Sequence, residues 1–361
     1  RRRGRTVQRR LRGRTGLQSS ELYVGSRDVG GAGIDYVRPV GTTEVGVARR
    51  QVDRCLDAGV NLFDTADVYS DGASEEILGA ALGRRRDDVL LATKLHGRTG
   101  PGVNDLGQSR HHIIRAVHDS LRRLGTDWID ILQVHGIDLH TDPAETLRAL
   151  DDLVRAGTMR YVGCSNFSAW HLMKALAVSE REHLGRYCLL QAHYSLVSRE
   201  LEHELVPLCL DQGVGILVWS PLAGGFLTGK VRRGRPAPEG SRQSVMGPPG
   251  GLADPESAHR TVEALVEIAA ARGVSPAQVA LNWLLAKPGV TSLIVGARTL
   301  DQLADNLAAA DWILDPAEVE QLDAVSAPRL PYPQWHQLLY NSARAAEPWL
   351  AERVDRGQAS A

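Results

Sequence analysis

Lysine is scarce. Lys94, Lys174, Lys230 and Lys287 are the only four among 42 lysines and arginines, so each is a candidate for a specific role rather than generic surface charge. Cysteine is as sparse. Cys55, Cys164, Cys188 and Cys209 sit in apolar surroundings without C-x-x-C spacing, which argues against a zinc site and reads as four reduced core thiols. No apolar run reaches about 18 residues, so no membrane-spanning helix is expected. An excess of either charge is also missing. With a formal net charge of −1 and a pI near 6.9, no global field draws the chain to nucleic acid or to an anionic membrane. The arginine-rich "RRRGRTVQRRLRGR" has no apolar h-region behind it and no interleaved aromatics, and it reads as a solvated leader over 1–13 rather than a signal or a nucleic-acid arm. These absences leave a cytoplasmic globular protein with a small-molecule partner, no metal, and homo-oligomerisation open.

The hydrophobic content of 43% is ample for a sizeable core. From about residue 44, short apolar runs alternate with amphipathic helical segments. "VNLFDTA", "DVLLATK", "WIDILQVHG", "MRYVGCS", "YCLLQAHY", "GVGILVWS" and "VTSLIVGA" are seven strands, and "ELYVGS" at 21–26 makes eight. The helices between them carry their own punctuation. Glu75 and Glu76 suit the first turn of a helix opening at Ser74, Ile114, Val117, Leu121 and Leu124 form one face ending before Gly125, and Pro143 opens a helix that stops at Gly157. Continuous apolar strands separated by helices predict a parallel sheet covered by helices. Eight such units predict an α/β fold, a (β/α)8 TIM barrel as a single domain over 14–328, with a doubly wound open sheet as the alternative. A Gly-, Pro- and Arg-rich stretch from Leu222 to Asp254 is a long loop after strand 7, and 329–361 form a C-terminal tail.

In such a barrel the chemistry sits at the C-terminal ends of the strands. Three neighbouring strands end at Asp64, Lys94 and His135, and Tyr69 follows on the first of the loops. The plain alternative is a structural Asp64–Lys94 ion pair beside a core histidine. A joint role explains the residue types better. A lysine cation stabilises a phenolate, an aspartate holds the lysine, and a histidine can orient a carbonyl oxygen. Together they would polarise a C=O and deliver a proton to it, with Tyr69 as the general acid.

At this point the sequence resembles the aldo-keto reductases. "NLFDTADVYSDGASEEILGAAL", "LLATK", "LQVHGID", "GCSNFS", "VWSPLAGGFLTGK" and "IVGARTLDQLADN" match that family's pattern in order, over about residues 14–326, closest to the bacterial branch akin to potassium-channel β subunits and aryl-alcohol dehydrogenases. The resemblance implies NADPH as cofactor, a small carbonyl compound as substrate, and Asp64, Tyr69, Lys94 and His135 as the tetrad. It implies that Ser165, Asn166 and Gln191 hold the nicotinamide carboxamide and that Trp219 stacks on the ring. Ser220, Pro221, Leu222, Ala223, Gly224 and Gly225, with Lys230, would line the pyrophosphate. Arg298 would take the 2′-phosphate, with Gly296, Gln302, Asp305 and Asn306 around the adenosine. Two other matches are weak: "GGFLTGKV" lacks the Ser or Thr of a Walker A loop, and "NFS" has no secretory context.

The poorest match is 23–40, where Ser26 and Arg27 replace the family's Gly-Thr and the following Met or Trp. Ser26 can still bond a cofactor ribose. Arg27 implies an altered substrate mouth or a local mismatch. Two further readings remain: an NADPH-binding redox-sensing regulatory subunit with slow turnover, and a metal-dependent barrel isomerase or lyase, disfavoured because the strand ends supply one acid and a lysine.

Overall fold

The computed structural model describes residues 9–11, 18–20, 22–25, 44–235, 237–239, 241, 243–244 and 254–341. A short antiparallel hairpin, β1 (Arg9–Leu11) with β2 (Gln18–Ser20), precedes β3 (Leu22–Gly25). The hairpin straddles residue 13, where the leader was expected to end. Helices and strands then alternate as α1 (Val45–Asp57), β4 (Leu62–Asp64), α2 (Ala73–Leu82), β5 (Leu90–Leu95), α3 (Arg110–Leu124), β6 (Ile129–Val134), α4 (Pro143–Arg155) and β7 (Met159–Ser165). The second half runs α5 (Ala169–Glu182), β8 (Leu189–His193), α6 (Leu205–Gln212), β9 (Gly215–Trp219), α7 (Pro255–Arg272), α8 (Pro276–Leu285) and β10 (Val290–Val295). The last helices are α9 (Leu300–Leu307), α10 (Pro316–Val325) and α11 (Gln334–Asn341).

Strands β3 to β10 pair in parallel in chain order, and β10 closes back on β3. The predicted barrel is therefore present and the open-sheet alternative is not. Parallel neighbours need a crossover, which is why a helix follows each strand and covers the outside of the ring. On α3, Val117, Leu121 and Leu124 are buried as the periodicity predicts, but Ile113 is the fully buried isoleucine while Ile114 is half-buried. All four cysteines are free and buried. Burial pushes the thiols of Cys55 and Cys209 up to about 12, so neither is a ready thiolate. No helix among the described residues is long and apolar enough to cross a membrane.

Helices α2 and α3 cross at Gly79, where an added Cβ would lie 2.3 Å from the backbone oxygen of Leu124. Backbone cannot swing aside as a side-chain tip can. Gly79→Ala is expected to cost about 3 kcal/mol of stability in urea unfolding, although alanine is favoured by about 1 kcal/mol in an unobstructed helix. A stabilised variant would mean that the two helices can separate freely.

Candidate active site

The loop leaving β4 carries two of the four predicted residues within six positions. Asp64 ends the strand, and Tyr69 opens a tight turn (Tyr69–Gly72) in which Ser70, Asp71 and Gly72 all take positive φ. Lys94 lies on β5, in register with Gln133 on β6. Burial of Lys94 is complete, and its Nζ donates to Asp64 Oδ2 at 2.5 Å, to the Thr65 carbonyl at 2.8 Å and to Tyr69 Oη at 3.4 Å. Burial works against the ammonium, but the Asp64 carboxylate, then Tyr69 and the hydrogen bonds to both, hold its pKa above the ordinary lysine value. The lysine is therefore a permanent cation against the phenol. His135, just past β6, sets its ring edge-on to Tyr69 with centroids 5.6 Å apart. The four predicted residues thus meet at one end of the barrel.

Two glutamines complete the support. Gln133 Nε2 and Gln191 Nε2 donate to Asp64 Oδ1 at 3.0 and 3.1 Å, and Gln191 also donates to Gln133 Oε1. Both Asp64 oxygens are occupied, so the carboxylate cannot rotate away from the lysine. Gln191, expected at the carboxamide, is held by this network.

The expected cofactor residues lie around the same rim. Ser165 ends β7 in register with Gln191, and its buried Oγ has no hydrogen-bond partner among the described residues. An orphaned hydroxyl at a strand end suits an incoming amide. Asn166, at φ 58°, donates to the His135 carbonyl at 2.9 Å and accepts from Trp219 Nε1 at 3.0 Å. Trp219 is half-buried, and the imidazole of His193 stacks on it at 4.3 Å and 18°. After β9 the chain turns through Ser220, Ala223, Gly224 and Gly225, all at positive φ, with Pro221 and Leu222 inside the turn, and Gly224 N donates to Ser220 Oγ. From the far side of the long loop, Gln243 Nε2 returns to the carbonyls of Ala223 and Gly224.

Lys230 and Arg298 are exposed. Gln302 Oε1 accepts from the Arg298 amide, and Asn306 Nδ2 donates to the Gly296 carbonyl, so the start of α9 is braced against the end of β10. The Asp305 carboxylate is turned to α8, accepting from Ser275 Oγ and Gln278 Nε2 at 2.7 and 2.6 Å, a cap rather than a free ligand group. Ser26 and Arg27 lie outside the described residues. Seven non-glycine residues in the described chain have positive φ, and six of them (Ser70, Asp71, His96, Asn166, Ser220, Ala223) are in the loops of this one rim. Backbone strain gathers where a surface is shaped for a ligand.

Residues 30–327 match the model of the aldo/keto reductase family. The protein belongs to that family. It is 38% identical to a probable voltage-gated potassium channel subunit beta of Oryza sativa subsp. japonica, over 87% of this chain and 94% of that one. It is 37% identical to the oxidoreductase YrpG of Bacillus subtilis over the same shares, and 33% identical to versiconal hemiacetal acetate reductase of Aspergillus parasiticus over 78% of this chain and 87% of that one. The chain is thus an aldo/keto reductase, an oxidoreductase of carbonyl compounds whose family works with a nicotinamide dinucleotide.

Several residues of this reductase's site escaped the sequence reading. Gln133 was legible as a polar residue inside the apolar run "DILQV". Glu75, read as a helix-dipole acid, is fully buried and accepts from Thr93 Oγ1 at 2.5 Å and Arg123 Nε at 2.7 Å. Asp67 is buried between Asp64 and Tyr69 with neither carboxyl oxygen matched to a partner, and desolvation, then the charge of Glu75, raises its pKa to about 8. No sequence pattern marks it, since "DTADVY" shows an ordinary loop acid.

Proposed function

We propose that the chain reduces an aldehyde or ketone to the alcohol with NADPH, and that Tyr69 is the proton donor. The observation that carries this reading is the buried chain Asp64–Lys94–Tyr69, with the ammonium 2.5 Å from the carboxylate and 3.4 Å from the phenol. Bound NADPH would supply the hydride. Tyr69 gives its proton to the carbonyl oxygen, and Lys94 stabilises the phenolate left behind. Asp64, clamped by Gln133 and Gln191, keeps Lys94 in place and balances its charge. His135 donates a hydrogen bond that orients the oxygen. Ser165 and Asn166 hold the carboxamide, Trp219 packs on the nicotinamide ring, and the Ser220–Gly225 turn with Lys230 lies along the pyrophosphate. Within the chain, 14–328 form the catalytic barrel and 329–361 its tail. Four unpaired cysteines suit a reducing compartment, and the cytoplasm is the proposed location. A panel of carbonyl compounds scored by loss of NADPH absorbance tests the reading, and no turnover with any of them refutes it.

The preference for NADPH rests on Arg298, whose fork of donors suits a phosphate dianion. Arg298→Ala is expected to weaken NADPH binding about tenfold and to leave NADH binding unchanged, as read by fluorescence titration. Equal losses for both cofactors would remove Arg298 from the phosphate site. The channel-subunit names among the relatives favour a second reading, a slow redox-sensing regulator. A single-turnover experiment with bound NADPH and a reactive aldehyde separates the two: rapid oxidation supports the enzyme, persistent reduced cofactor the regulator.

A further inference from the structure

One imidazole of the rim has no part in the tetrad. His193 is the last residue of β8, in register with Trp219 on β9. Strand side chains alternate faces, so His193 shares the inward face of Gln191, whose amide reaches Asp64 in the barrel centre. It stands two residues further along, about 6.6 Å nearer the mouth than the Gln191–Asp64–Lys94 layer. Its ring lies flat on the Trp219 indole at 4.3 Å, and the indole is pinned through Nε1 to Asn166, itself pinned to the His135 carbonyl. The ring plane of His193 is therefore fixed by stacking, while no hydrogen bond to its nitrogens is present among the described residues. It is half-buried, with room for a ligand edge.

We propose that His193 is a substrate-specificity residue of this reductase, donating a hydrogen bond to a second, uncharged oxygen of the substrate, as in a keto ester. The class follows from the charge of the site. Burial lowers the imidazole's pKa against the opposing pull of Glu200, so near neutral pH the ring is a neutral donor and offers no cation to a carboxylate. A stacked ring that already points its edge into the mouth loses little freedom on binding. The proposal rests on the carbonyl-reductase reading above.

The test compares acetophenone, which has one oxygen, with methyl benzoylformate and ethyl benzoylacetate, which carry an ester as well. His193→Phe keeps the stack on Trp219 and removes the donor. It is expected to lower kcat/KM for both esters about tenfold through KM, the value of one neutral hydrogen bond, and to leave acetophenone unchanged. His193→Gln, which restores an N–H, is expected to recover part of the loss. Equal losses on all three compounds, or a loss of NADPH affinity instead, would overturn the proposal and make His193 a packing residue. Equilibrium binding of the same three compounds to the NADP+ complex keeps the two readings apart. If wild type binds the esters more tightly than acetophenone and His193→Phe does not, the assignment stands even without turnover. Absent turnover refutes the reductase reading alone. A wild type that binds all three equally, or none, refutes the assignment of His193.

Discussion

Tyr69→Phe is expected to lower turnover by about 10² to 10⁴ while NADPH affinity stays within twofold, because positioned general acids contribute that range to a rate. The substitution removes one oxygen and keeps the ring. The phenyl ring can still meet His135 edge-on, and the Lys94–Asp64 pair keeps its bond to the Thr65 carbonyl, so the site should not collapse. What disappears is the proton that the carbonyl oxygen needs and the phenolate that Lys94 is placed to stabilise. The readout is steady-state kcat beside a binding titration of the cofactor. Unchanged turnover would take Tyr69 out of the chemistry and leave the Asp64–Lys94 pair as a structural ion bridge. A parallel loss of cofactor binding would show instead that the loop around Tyr69 had moved.

Asp67→Asn is expected to make the protein more stable at neutral pH. The Asp67 carboxyl keeps its proton in the fold until about pH 8, against an ordinary value of 3.8, because it is desolvated beside Glu75, with Arg123 and Lys94 offsetting only part of the effect. The unfolded chain releases that proton near pH 4. Between those limits the unfolded state binds fewer protons, so this group makes stability fall as pH rises, and the loss is complete above pH 8. At about 1.4 kcal/mol per pH unit, the penalty by pH 7 is about 4 kcal/mol. Asparagine occupies the same space with nothing to ionise. Urea unfolding of both proteins at pH 5, 6, 7 and 8 should give curves that diverge steadily, with the variant above. Parallel curves across that window would mean that Asp67 is ionised in the fold. Because Asp67 lies between Asp64 and Tyr69, its backbone amide bonded to the Lys94 carbonyl, the same variant should leave the tetrad intact.

The scarcity of lysine pointed correctly to Lys94 but could not separate it from the others. Lys287 serves a structural cluster with Asp323, while Lys174 and Lys230 are exposed. Only the register of β5 with β6 distinguishes them, since it sets Lys94 beside Gln133 under the Asp64 carboxylate. Asp305 shows the reverse case. Its place in "LDQLADN" suggests a cofactor contact, but its carboxylate caps α8, an arrangement set by how two helices distant in the sequence pack together.

The order of strands and helices, and the strand ends at Asp64, Lys94 and His135, were determined by the sequence alone. Side-chain periodicity and turn residues are local properties, and barrel topology then directs each strand end to one rim. Tertiary structure alone decided which polar groups are paired. Whether Asp67 keeps its proton, whether Gln133 braces Asp64, and whether His193 lies on Trp219 depend on dehydration and on neighbours dozens of residues away, and both come into being only when the ring of strands closes.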